Sequence, residues 1–187
     1  TFPDFKFSIE DVSVVGVDDF EGVKLAGIDR LELTVDLMSI IDGTNVKVKT
    51  IGIHGPEINV IVLKGGKANY DIAKATDDSL EVEEPLEVEE PAEPDTSAPY
   101  SLSLNNFEIT NAHIVYDDRD GGMYAGIENL NFSLKGDLAE ARTALETKTT
   151  IDALTYKMDG ISYLKKAALE LILNADADME NMKFTLT

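Results

Sequence analysis

Alternation of apolar and polar residues along most of the chain is the feature that most constrains its fold. Phe5, Phe7 and Ile9 are each separated by a polar residue. Apolar residues at every second position recur at Leu31, Leu33, Val35 and Leu37; Ile58, Val60 and Val62; Ala112, Ile114 and Tyr116; and Leu130, Phe132 and Leu134. A period of two is typical of antiparallel strands that are covered on one face only. The pattern predicts a mainly β protein, built as an elongated antiparallel sheet with one or two short helices.

Local departures from this period predict finer features. The first run changes phase at Glu10-Asp11, which predicts a β-bulge. Residues 37–41 predict a short helical turn. Residues 138–145 and 161–173 are rich in good helix formers. Nevertheless, residues 143–155 are rich in Thr, and apolar and polar residues alternate over residues 169–177. Both features favour strands for most of the second half of the chain.

Residues 77–99 have a different composition from the rest of the chain. They hold ten acidic residues, no Lys or Arg, and four of the six prolines, and Leu-Glu-Val-Glu-Glu-Pro occurs twice in succession from Leu80 to Pro91. Like charges repel and proline removes backbone donors, so this stretch should be extended and disordered. It predicts an acidic linker between two β repeat units, residues 1–76 and 100–187.

The two units are related by an offset of 99 residues. Seven of the fourteen positions from 18 to 31 are identical to their counterparts from 117 to 130, and the alignment needs no gap. Two hairpins with similar turns could match in this way by chance. True repetition is favoured by the shared Ala-Gly-Ile at 26–28 and 125–127. Repeats that each expose an apolar face become stable by stacking into one elongated body.

Composition excludes several classes of function. Sixteen basic residues against 36 acidic ones give a net charge of −20, which argues against nucleic acids and anionic membrane surfaces. Without Cys the chain has no disulfide, no thiolate metal site and no cysteine nucleophile. Its two histidines, His54 and His113, lack the partner spacing of a metal site, and residues 117–122 have the composition of a turn. We therefore predict no catalytic residue, no metal ligand, no cofactor and no enzyme activity.

Residues 25–72 begin with the motif Leu25-Ala26-x-Ile28-x-x-Leu31-x-Leu33-x-Val35-Asp36-Leu37-x-Ser39-Ile40. This stretch resembles the AsmA-like family of Gram-negative envelope proteins, which have repeats of the bridge-like lipid-transfer type. It continues with Gly66-Lys67-Ala68-Asn69-Tyr70-Asp71-Ile72, in which Tyr stands where Trp is common in the family. A Pro- and acid-rich linker and Ile114-x-Tyr116-x-Asp118 follow in the family order. The chain opens without Met, so we expect an excised piece that lacks the family's N-terminal membrane helix.

The resemblance implies a sheet curled into a groove that is apolar inside and polar outside. It also implies inner-membrane anchoring, a periplasmic location, and a role in phospholipid transport and outer-membrane biogenesis, with phospholipid acyl chains and other envelope proteins as partners. The candidate groove residues are Leu31, Leu33 and Val35 in the first unit and Leu130, Phe132 and Leu134 in the second. The alternative is a closed β-sandwich without ligand, acting as a structural or protein-interaction module.

Overall fold

The computed structural model describes residues 4–42, 47–71, 104–138 and 140–187. The strands are β1 (Asp4–Val15), β2 (Lys24–Asp36), β3 (Val48–His54), β4 (Glu57–Val62), β5 (Asn106–Asp118), β6 (Met123–Lys135), β7 (Arg142–Met158), β8 (Ile161–Asp178) and β9 (Lys183–Leu186). A 3-10 helix (Asp18–Phe20) follows β1, and a short helix, α1 (Leu37–Asp42), follows β2. The predicted mainly β fold is confirmed. The predicted linker at 77–99 lies outside the described residues.

These strands form one large sheet in the order β1-β2-β3-β5-β6-β7-β8-β9. β4 pairs with both β2 and β5, so β3 and β4 occupy one position in the sheet, interrupted at Gly55-Pro56. All pairings are antiparallel except those of β5 with β3 and β4, which are parallel. A sandwich needs two sheets packed face to face. The alternative of a closed β-sandwich is therefore wrong for the described part of the chain.

The repeat is visible in the strands. β2 and β6 lie 99 residues apart at both ends, and each is followed by the next strand position of its unit, β3–β4 or β7. Because β5 runs parallel to β3 and β4, the second unit repeats the strand directions of the first. The turns differ, since Asp18-Asp19 lie in the 3-10 helix whereas Asp117-Asp118 end β5. The two units thus share a strand arrangement but have different connections between their first two strands.

A band of left-handed residues crosses the sheet near the middle of its long strands. Its members are Asp11 (φ 56°), Gly55 (φ 58°), Asn111 (φ 56°), Asn129 (φ 54°) and Lys166 (φ 51°). The strand registers align Gly55, Asn111 and Asn129 at adjacent positions, whereas Asp11 and Lys166 are each separated from them by a strand, β2 or β7, that has no left-handed residue. We call this band the crease. β1 and β2 keep their register across it, so the irregularity predicted at Glu10-Asp11 is a phase change in both strands rather than a one-residue bulge.

The start of α1 ties the first three strands together. The Asp36 carboxylate accepts a hydrogen bond from the Ser39 amide (3.2 Å) and lies 2.9 Å from the Lys49 ammonium. Lys49 in turn lies 2.6 Å from Asp4 on the edge strand β1. The hydrogen bond from Lys49, followed by that from Ser39, holds the pKa of Asp36 below its usual 3.8. The ionised form of Asp36 therefore favours the folded state.

Removing the Asp36 charge should reduce the loss of folding stability at acidic pH. A carboxyl with a lowered pKa stabilises the fold above its unfolded pKa, and this stabilisation is lost as the pH falls through the folded value. Asp36→Asn should therefore lose less stability than the parent chain below about pH 4. Urea unfolding at pH 7 and pH 3 measures this, with the exposed Glu140→Gln as control. An identical acid response in the two variants would contradict the assignment.

Candidate functional site

The six candidate groove residues lie on one face of the sheet. Leu31 is paired with Ile9 and Ile53, and Leu130 with Ala112 and Ile151. Side chains opposite one another in a register share a face. Val35 is only 5% exposed, whereas Leu31, Leu33, Leu130, Phe132 and Leu134 are half-buried. The structure brings all six onto one surface and leaves five of them accessible.

We call this surface the apolar face. Besides the six candidates, the apolar face includes further apolar side chains on both sides of the crease. On one side these are Phe5, Phe7, Ile9, Ile51, Ile53, Phe107 and Ile109. On the other side they are Val12, Val14, Ala26, Ile28, Ile58, Val60, Ala112, Ile114 and Ile127. The phase changes at the crease keep apolar side chains on the same side along the whole strand. The sequence signal for this was present in the long strands, but only the break at Glu10-Asp11 was predicted from it.

The apolar face is exposed over most of its width. Phe5 is 51% exposed and Phe7 45% in β1, and Leu169 is 42% and Leu171 45% in β8. Soluble monomeric proteins rarely expose contiguous apolar patches larger than a few hundred square ångströms, and larger ones mark binding surfaces. The apolar face therefore has the character of a binding surface.

A cavity of about 430 Å³ lies on the apolar face at the crease. Its apolar lining is Val12, Val14, Ala26, Ile28, Ile53, Pro56, Ile58, Ile109, Ala112, Ile114 and Leu130. Because these residues come from β1 through β6, the sheet is concave here and forms a groove. Ala26 and Ala112 have short side chains, which leave room at the floor. The volume falls in the range of small-molecule pockets, about 300–1,000 Å³.

The opposite face carries charged and polar side chains. Glu32 lies 2.9 Å from the Lys6 ammonium and 3.4 Å from Arg30 Nε, and the hydrogen bond from Lys6 is the main cause that holds the pKa of Glu32 below its usual value. His54 Nδ1 lies 2.8 Å from Thr110 Oγ1, and its Nε2 lies 3.4 Å from Glu32. The Lys6 and Arg30 side chains are exposed, and ion pairs of such exposed groups contribute little stability. The sheet is thus polar on one face and apolar on the other.

The other residues considered for metal binding have local structural partners. Asp118 accepts hydrogen bonds from the amides of Asp120 (3.0 Å) and Gly121 (2.8 Å), as expected of a turn. His113 is exposed, and its Nδ1 lies 3.0 Å from the Asn111 carbonyl oxygen. Within residues 4–42, 47–71, 104–138 and 140–187, no group of three His, Cys, Asp or Glu side chains is placed to hold a metal ion.

Asn69 has a role that the sequence did not reveal. It is 1% exposed; its Oδ1 accepts a hydrogen bond from the Ile61 amide (2.9 Å), and its Nδ2 donates one to the Asn59 carbonyl (2.6 Å). β2 pairs with β4 only through Ala26 and Gly27, which lie opposite Ile58 and Glu57, so residues 59–61 of β4 have no partner residue in β2. The Asn69 side chain makes the two hydrogen bonds with the β4 backbone that a neighbouring strand would otherwise make. Residues 66–71 of the motif thus cover this edge of β4.

Comparison with known protein families identifies the chain. The model of the AsmA family matches residues 1–183, which cover the first predicted unit and most of the second. The chain belongs to the AsmA family. AsmA proteins are associated with the cell envelope. No curated protein and no solved structure matches the chain significantly.

In the part of the chain that the structure describes, the helices are too short and too polar to serve as a membrane span.

Proposed function

We propose that this chain is a periplasmic segment of an AsmA protein that carries phospholipid during outer-membrane biogenesis in a Gram-negative bacterium. The observation that carries the proposal is the exposed apolar face, which extends from β1 to β8 and is concave at the crease. Acyl chains lie against this face, and the polar face remains in water. The activity is non-catalytic and uses no cofactor.

Passive burial of acyl chains supplies enough free energy for such a role. Removing one methylene from water is worth about 0.8 kcal/mol, so a chain of a dozen methylenes is held without a specific polar contact. The apolar side chains on both sides of the crease offer similar surroundings to successive methylenes. A lipid can therefore shift along the groove without a large barrier at any one position.

The family supports the proposed location. AsmA proteins are envelope-associated, and the resemblance described above implies an N-terminal membrane helix in the full-length protein. We propose that such a helix anchors the protein in the inner membrane and leaves this segment in the periplasm. The negative net charge, −20, then keeps the chain from adhering to anionic membrane surfaces along its length.

A second candidate function is a protein-interaction module that binds no lipid. The observation that favours it is the free edge of β8, whose pairing with β9 covers only residues 175–178 of an 18-residue strand. Exposed strand edges are templates for the addition of a partner strand. Lipid analysis separates the two functions, because the interaction module predicts a purified protein without stoichiometric phospholipid.

A charge on the apolar face should remove bound lipid. Leu33 is paired with Phe7 and Ile51 on the apolar face, whereas the neighbouring Thr34 is paired with Lys6 and Thr50 on the polar face. We expect Leu33→Asp to lose most of its phospholipid, because a carboxylate beside an acyl chain is poorly solvated. Mass spectrometry of organic extracts measures the phospholipid per protein chain.

Thr34→Asp is the matched control, since it adds the same charge one residue away on the other face. It should retain the phospholipid content of the parent chain. Circular dichroism establishes that both variants are folded. A folded Leu33→Asp with normal lipid content would exclude this position from the binding surface, and a parent chain free of phospholipid would refute the proposed function.

A further inference from the structure

Two tyrosines stand in one row across the apolar face. Tyr116 is paired with Ala125, and Ala125 is paired with Tyr156 on the next strand. All three side chains therefore lie on the same face, with the smallest between the two rings. Ile114, which lines the cavity, is two residues before Tyr116 on β5. We call Tyr116, Ala125 and Tyr156 the tyrosine row.

Among the described residues, two thioether sulfurs are the hydrogen-bond acceptors of the Tyr156 hydroxyl. It lies 3.5 Å from the Met158 sulfur and 3.8 Å from the Met123 sulfur. A thioether is a poor acceptor compared with a carbonyl oxygen. Tyrosine combines an apolar ring with a polar tip and suits places where an apolar surface meets polar groups. The hydroxyl is thus a donor that a stronger acceptor on a ligand can recruit.

The dimensions of the row suit the polar end of a diacyl lipid. Neighbouring strands are about 4.8 Å apart, so the backbones at Tyr116 and Tyr156 are about 10 Å apart, with Ala125 between them. Along β5, Ala112 in the cavity lies four residues from Tyr116, or about 13 Å. A stretch of apolar wall therefore connects the cavity to two hydroxyl groups at one end of the face.

We propose that the tyrosine row binds the acyl ester carbonyls of a diacyl glycerolipid whose acyl chain runs along the apolar face into the cavity. This inference rests on the proposed function and adds a polar subsite to it. Each hydroxyl donates to one neutral carbonyl oxygen. The head group then lies past the row, towards the turns at 119–122 and 159–160, where it remains in water.

The test compares an ester lipid with an ether lipid of the same length. Dihexanoyl phosphatidylethanolamine and its dialkyl ether analogue differ in the two carbonyls but share the phosphate and the apolar chains. Calorimetric titration of the parent chain should show tighter binding of the ester lipid. Tyr116→Phe combined with Tyr156→Phe should weaken ester binding by about fivefold per hydroxyl, the usual value of one net hydrogen bond, and leave ether binding unchanged.

Tyr124→Phe is the matched control on the opposite face. Tyr124 is adjacent to Ala125, and its ring lies 5.2 Å from the Lys157 ammonium. This variant should bind both lipids like the parent chain. If the parent chain binds the two lipids equally, or if the double variant loses both equally, the carbonyl subsite is refuted while lipid binding stands. If the parent chain binds neither lipid, both the subsite and the proposed function are refuted.

Discussion

Gly55→Ala should lower the free energy of unfolding by about 3 kcal/mol. Gly55 has a φ of 58°, and a left-handed conformation costs an L-residue roughly 1–2 kcal/mol. A Cβ at this position would also collide with the Asp29 carboxylate and would lie 3.0 Å from the Asp29 Cβ. Such overpacking costs about 1–3 kcal/mol. The Gly55 amide donates a 2.8 Å hydrogen bond to the Thr110 carbonyl, so the backbone has little freedom to move away.

Gly22→Ala separates the cost of the left-handed conformation from the cost of the steric collision. Gly22 also has a positive φ, 78°, but a Cβ there would meet no atom within 4 Å. We expect this variant to lose only the conformational part, about 1–2 kcal/mol. Urea denaturation of both variants gives the comparison. Equal losses would show that Asp29 moves aside easily and that close packing at the crease is unimportant.

Asn69→Ala should also lower the free energy of unfolding by about 3 kcal/mol. The substitution removes two hydrogen bonds and leaves the Ile61 amide and the Asn59 carbonyl without their partner. Each unsatisfied buried group costs about 1–3 kcal/mol. Asn69 is 1% exposed, so water does not reach these groups easily. Chemical denaturation monitored by circular dichroism measures the loss.

The same substitution at an exposed site provides the control for Asn69. The Asn181 side chain bonds to the Asp178 carboxylate at 3.0 and 3.1 Å in an exposed turn. Asn181→Ala should cost below about 1 kcal/mol, because water replaces the lost partner. If Asn69→Ala were no more destabilising than this, the strand-like role of the Asn69 side chain would be refuted.

The crease has a direct consequence for the proposed lipid surface. Successive side chains of a strand point to opposite faces, so one change of phase moves all later side chains to the other face. In β1 the alternating apolar residues are odd-numbered from Phe5 to Ile9 and even-numbered at Val12 and Val14. The left-handed Asp11 between them restores a common face. Without the crease, half of the apolar side chains would point to the polar face and the groove would end at mid-strand.

The parallel junction between the units explains why a long connection is placed there. Antiparallel strands can be joined by a short turn, but parallel strands need a crossover of a dozen residues or more. β4 ends at Val62 and the parallel β5 begins at Asn106, and the acidic stretch at 77–99 falls between them. The same junction gives both units one strand direction, so their apolar faces join into one surface.

The sequence by itself determined the strands, the short helix α1 and the apolar character of one face, because these depend on the local period of two. Its motifs also indicated the AsmA family. Tertiary structure alone decided that one open sheet forms instead of a sandwich, since alternation shows that a face is apolar but not what lies against it. It also decided that Gly55 meets Asp29 and that Tyr116 shares a row with Tyr156. These contacts depend on long-range strand register, which no local pattern encodes.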